Sequence, residues 1–182
     1  MTAKKLWFWL GATVAASFLV LIFYGVEIYR TAPPFPTKIV VNNGDLLYEG
    51  KDIKDGKNVW QSMGGQTVGS IWGHGAYIAP DWNADYLHRE SEALLKIYAE
   101  EDGKVYSELT EEEQAKYQVR LRKELRNNTF DEATGVITFS PERAKVAKEL
   151  ADYYRRLFMN DPALKTTRVH YAIPDNAIKD EV

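Results

Sequence analysis

Residues 6–26, L-W-F-W-L-G-A-T-V-A-A-S-F-L-V-L-I-F-Y-G-V, contain no charged side chain. As a helix rising 1.5 Å per residue, this run covers about 30 Å, the thickness of a bilayer's hydrocarbon core. Trp7 and Trp9 at one end, with Tyr24 and Tyr29 at the other, suit the two membrane–water interfaces. Lys4 and Lys5 precede the run and place the N-terminus on the cytoplasmic side. The rival reading is a cleaved signal peptide, whose apolar region is shorter and ends at small residues. This run is longer and ends in bulky residues, which favours a permanent single-pass anchor with the remainder outside.

The other 150 or so residues are one domain of ordinary size. A net charge of −3 and a pI near 5.7 give no basic excess for nucleic acid. The absence of cysteine removes disulfides, thiolate metal sites, a thiol nucleophile and any C-x-x-C-H haem attachment. No nucleophile elbow, phosphate-binding loop or dinucleotide fingerprint is present, so no catalytic residue is assigned.

Thr31-Ala32-Pro33-Pro34-Phe35-Pro36 stops the membrane helix and leads out as a stiff linker. K-I-V-V-N-N-G-D-L-L-Y (38–48) reads as a hairpin around Asn43-Gly44. Asp55 or Gly56 is expected to open a short helix carrying Val59 and Trp60. Asp81 caps a helix over 81–100 with Trp82, Tyr86, Leu87, Leu94 and Tyr98 near one face. Residues 99–108 read as a surface loop. Thr110 and Glu113 form a capping box for a surface helix to about Arg126, with a thin stripe of Ala115, Tyr117, Val119, Leu121 and Leu125. A second hairpin is expected over 129–139, turning near Gly135. Ser140-Pro141 starts a helix with Val146, Ala147, Leu150, Ala151, Tyr154 and Phe158 toward the core, ended by Asp161-Pro162. The tail shows no clear element.

Between that short helix and the helix over 81–100, Gly64, Gly65, Gly69, Gly73 and Gly75 alternate with Met63, Val68, Ile71, Trp72, Tyr77 and Ile78. So many glycines oppose a regular helix or strand and suit a backbone that turns sharply or lies close against a partner. The block G-S-I-W-G-H-G-A-Y-I-A-P-D-W-x-A-D-x-L-H-R-E resembles the N-terminal region of the quinol-dependent nitric oxide reductases, members of the haem–copper oxidase superfamily. The resemblance extends from the anchor to Y-A-I-P-D-N-A-I-K-D near the end.

That resemblance implies a fold that is mainly α with short β hairpins: one N-terminal transmembrane helix, then a cytochrome c-like extracytoplasmic domain. The expected divisions are an anchor at 1–30, a Pro-rich linker at 31–37, a cytochrome c-like domain without haem c at 38–172, and a tail at 173–182 leading toward a catalytic membrane domain. In the haem-bearing relatives C-x-x-C-H precedes this block; here that region reads Ser62-Met63-Gly64-Gly65-Gln66, so no haem c is expected. A non-covalent haem on His74 or His88 is the remaining haem reading. The whole enzyme would reduce NO to N2O with quinol electrons. Haem b, haem b3 and non-haem iron would lie in a multi-helix membrane domain absent from this chain, in the bacterial inner membrane.

The resemblance also implies a shared calcium at the interface with that partner, to which Gly75 and Tyr77 would contribute. Read without it, Gly75 is a turn and Tyr77 a core aromatic. Trp72, His74, Gly75, Tyr77, Asp81 and Trp82 are the expected contact residues, with His74 alternatively a satisfied loop histidine. His88-Arg89-Glu90 reads as an interfacial ion-pair network or a solvated face, and Asp81 and Asp85 as capping and surface charge. The alternative function is a free-standing, membrane-anchored binding or assembly protein with no enzymatic role.

Overall fold

The computed structural model describes residues 2–71, 73–75 and 80–175. The chain divides into two compact units, Met1–Phe35 and Pro36–Val182. The first is a single helix, α1 (Ala3–Thr31), apolar and long enough to cross a membrane, with no buried residue. Its hydroxyls do not oppose that. Thr13 donates to the Trp9 carbonyl and Ser17 to that of Thr13, each at 2.9 Å, so both are satisfied within the helix.

The second unit is mostly helical with short strands. It opens with the expected hairpin, β1 (Lys38–Val41) and β2 (Leu46–Glu49), turning through Gly44 at φ +90°. The second hairpin, β5 (Phe130–Asp131) and β6 (Val136–Phe139), turns at Gly135. The two join into one sheet of order β2-β1-β6-β5, in which β1 runs parallel to β6 with Ile39 opposite Ile137.

α2 (Gly50–Ser62) follows β2 directly. It starts well before Asp55 or Gly56, because the Asp52 side chain accepts the Glu49 N–H at 2.9 Å and fixes the first turn. Three longer helices then build the core: α3 (Trp82–Glu101), α4 (Glu111–Arg126) and α5 (Pro141–Phe158). Their caps are those expected, with Thr110 and Glu113 reciprocating and the Ser140 hydroxyl accepting the Arg143 N–H. Leu94, Tyr98, Ala99, Tyr117, Val146 and Leu150 form the buried cluster.

Several sequence expectations change here. Leu87, Ala115, Val119 and Ala151 face solvent, while Ala144 and Leu157 are buried. α4 is not only a surface helix: Tyr117 is buried and donates to Asp102 at 2.8 Å. Within 99–108, α3 continues to Glu101, and a 3-10 turn at Tyr106–Glu108 sets Tyr106 edge-on to Tyr117. The tail is structured through a 3-10 turn at Pro162–Leu164 and α6 (Lys165–His170), with Arg168 and Ile173 buried.

Candidate functional site

The glycine-rich stretch leaves α2 at Met63 and reverses through Gly64, whose φ of +69° is in the left-handed region. A 3-10 turn follows at Gly65–Thr67. The chain then makes a minimal hairpin, β3 (Ser70–Ile71) against β4 (His74–Gly75), where the sequence suggested no regular structure. Gly73, at φ +72°, makes the reversal. Two of the glycines serve close internal packing. A Cβ on Gly65 would overlap the Trp60 ring, and one on Gly69 would overlap the Trp82 indole.

Asp81 holds this hairpin to the helix that follows. Its Oδ1 accepts the N–H groups of Asn83 and Ala84 at 3.1 and 3.0 Å, capping α3. Its Oδ2 accepts the Ser70 hydroxyl and the Gly73 N–H, each at 2.7 Å. Ser70 N–H also donates to the Pro80 carbonyl at 2.9 Å. The Ser70 hydrogen bond, followed by those from Gly73 and Ala84, holds the Asp81 pKa below the usual carboxylate value. One carboxylate thus joins both ends of the segment 70–81, and its oxygens are engaged within the chain.

Trp82 turns inward. Its ring lies 5.3 Å from that of Phe158, 5.8 Å from Tyr171, 6.1 Å from Tyr154 and 6.3 Å from Trp60, centroid to centroid. Its Nε1 is buried without an acceptor among the described residues. Beside this cluster an open apolar cavity of about 270 Å³ is lined by Val59, Trp60, Met63, Gly64, Val68 and Phe158, among others. Of Ser62 to Gln66, Met63, Gly64 and Gly65 line the cavity, and the Ser62 hydroxyl donates to the Val59 carbonyl at 2.9 Å.

Asp85 is the residue that sequence reasoning misjudged. Its side chain is only 9% exposed. It accepts from Tyr171 Oη at 2.6 Å, Tyr154 Oη at 2.7 Å and Arg89 Nε at 2.9 Å. Burial raises its pKa, but the hydrogen bonds from Arg89, Tyr171 and Tyr154 outweigh that and the net shift is downward. Burial and then the bond to Asp85 push the Tyr154 phenol far above its usual range. His88-Arg89-Glu90 is not one network: His88 is exposed near Glu92, Arg89 turns to Asp85, and Glu90 is fully buried against Arg143 Nε at 2.8 Å. The one-turn spacing of Asp85 and Arg89 on α3 was the available signal, but the two tyrosine partners lie far along the chain.

Of the expected contact residues, the structure brings together the β4 backbone of His74 and Gly75, the Asp81 carboxylate and the Trp82 ring. Trp72, Tyr77 and the His74 side chain lie outside the described residues. Among the described residues, no group of three His, Asp or Glu side chains could hold a metal ion. A calcium ion here would therefore draw backbone oxygens from this chain, which suits its chemistry, and would need most of its ligands from elsewhere.

A search of curated proteins finds no match to this chain. One protein-family model matches residues 36–182, that of the cytochrome c-like domain of the nitric oxide reductase NorB.

Proposed function

The chain belongs to the NorB nitric oxide reductase family through its cytochrome c-like domain, and from that premise we propose that it is the membrane anchor and extracytoplasmic cap of a quinol-dependent reductase. The family match over 36–182, following a helix able to cross a membrane, is the observation that carries this reading. In it, α1 holds the chain in the inner membrane with its N-terminus in the cytoplasm. The domain sits over a multi-helix membrane core that carries haem b, haem b3 and non-haem iron and converts two NO to N2O and water. Quinol electrons enter that core directly, because a chain without cysteine cannot anchor haem c by thioether bonds.

The docking element is the β3–β4 hairpin with the segment that follows it to Asp81. Trp72, His74, Gly75 and Tyr77 meet the core, and backbone oxygen at Gly75, with Tyr77, contributes to a shared calcium. Asp81 and Trp82 position that hairpin from behind, Asp81 by tying both of its ends and Trp82 by packing under Gly69.

The test is recovery of the tagged full-length chain from gently solubilised native membranes, with an optical spectrum of the eluate. A b-type haem spectrum with NO consumption supports the reading. An eluate without haem sinks it and leaves a free-standing anchored binding protein.

A further inference from the structure

The rings around Trp82 form a continuous path between two surface openings. Trp60 lines the apolar cavity at α2, and its ring lies 6.3 Å from Trp82. Trp82 lies 6.1 Å from Tyr154, and Tyr154 lies 5.3 Å from Tyr153. Tyr153 lines a groove between α3 and α5 at the other end. Packing accounts for neighbouring rings. It does not account for a carboxylate buried among them, which costs free energy unless it is paired and hydrogen-bonded. Asp85 is so paired by Arg89, and two phenols donate to it.

That combination has a chemical use. Indole and phenol are the side chains most readily oxidised by one electron. A phenol cation radical is a strong acid, so phenol oxidation is easy only where its proton can leave at once. A carboxylate at 2.7 Å is within the reach needed of a proton acceptor. We propose that the path Trp60–Trp82–Tyr154–Tyr153 carries single oxidising equivalents across this domain, with Asp85 receiving the phenolic proton. Such a path operates whether or not the hairpin docks as described above.

A high-potential one-electron oxidant at the Trp60 end takes one electron and is reduced. Trp82 refills Trp60, and Tyr154 refills Trp82. As Tyr154 gives its electron, its O–H bond breaks and the proton passes to Asp85 Oδ2. The products are a neutral tyrosyl radical and a neutral carboxylic acid. A thiol or ascorbate at the Tyr153 end loses one electron, becomes its own radical and releases its proton to water. The electron crosses the Tyr153 ring to Tyr154, and Asp85 returns the phenolic proton to Tyr154. Arg89, 4.2 Å above the Tyr153 ring, disfavours a cation on that ring and so keeps the equivalent on Tyr154, as the neutral radical.

The experiment uses the full-length chain in detergent micelles with photogenerated tris(bipyridine)ruthenium(III) as oxidant and persulfate as its electron sink. Tyrosyl radical is followed by transient absorption and electron paramagnetic resonance. The native chain should show a dominant radical that Tyr154→Phe removes and Trp82→Phe delays. Asp85→Asn should slow its formation by about 100-fold, the contribution of a positioned proton acceptor, and make the rate depend on buffer base, which the native chain's does not. Equal yield and rate in Tyr154→Phe and Trp82→Phe would place the radicals on other members of the 11 tyrosines and overturn the proposal. Should Asp85→Asn fail to fold by circular dichroism, Tyr154→Phe and Tyr171→Phe keep the rings and decide the matter.

Discussion

Replacing Asp81 by alanine removes four hydrogen bonds from one carboxylate, two at the start of α3 and two inside the preceding hairpin. Loss of the cap costs about 1 kcal/mol. The Ser70 hydroxyl sits on a residue only 8% exposed, so losing its acceptor adds about 1–2 kcal/mol. Gly73 is exposed and water can take over its N–H, adding at most about 0.5 kcal/mol. The sum is about 3 kcal/mol, or roughly 10 °C in melting temperature for a folded unit of this size. Asp81→Asn keeps an oxygen for the cap, but the amide NH2 in place of Oδ2 can accept from neither Ser70 nor Gly73, and the change should cost about 2 kcal/mol. Thermal unfolding of the full-length chain in micelles at neutral pH, followed by circular dichroism, reads both. Asp55→Ala, an exposed carboxylate on α2, serves as the control. An Ala variant within about 0.5 kcal/mol of the native chain would refute the idea that this carboxylate closes the hairpin. An Asn variant as unstable as Ala would refute the division of the cost.

Acidification should act on the same groups. Asp81 and Asp85 both have lowered pKa values when folded, so their stabilisation is present above about pH 4 and is lost as pH falls through the folded values. The melting temperature should therefore fall steeply below about pH 4, and less steeply in Asp85→Asn. Trp82→Ala removes the ring packed by Trp60, Tyr154, Phe158 and Tyr171 and should cost about 3–5 kcal/mol in denaturant unfolding. Arg143→Ala leaves Glu90 fully buried without its ion-pair partner and should cost a similar 3–5 kcal/mol or so, measured the same way.

What the sequence disclosed was local. Asp81, Thr110 and Ser140 announce helix starts because a cap needs only a side-chain oxygen and amides two or three residues on. Asn43-Gly44 and Gly135 announce turns because each needs a left-handed backbone. The missed features are tertiary. Asp85 reads as a surface acid until Tyr154 and Tyr171 arrive from α5 and the segment after α6. Glu90 reads as part of an interfacial ion-pair network or of a solvated face until Arg143 covers it. Trp82 reads as a contact for a partner, and its inward turn follows from aromatic neighbours on other elements. The tail hid α6 because its six residues are too few for periodicity to register. The family itself was legible from the G-S-I-W-G-H-G-A-Y block, which composition alone could not have supplied.

The glycines permit a sharper test of where a partner would bind. Gly65 and Gly69 lack side chains because Trp60 and Trp82 occupy that space, and Gly64 and Gly73 are required by their positive φ. None of these four needs an external surface to explain it. Gly75, paired with Ser70 in the small hairpin, is the glycine that the proposed docking assigns to the partner. The two groups should therefore separate experimentally. Gly65→Ala and Gly69→Ala force an overlap with an indole and should lower stability by about 1–3 kcal/mol. Gly75→Ala should leave the melting temperature of the purified chain within about 1 °C while reducing the haem b recovered with it from native membranes. If Gly75→Ala instead lowers stability and leaves haem recovery intact, the glycine serves the hairpin alone, and the docking surface must lie elsewhere on the domain.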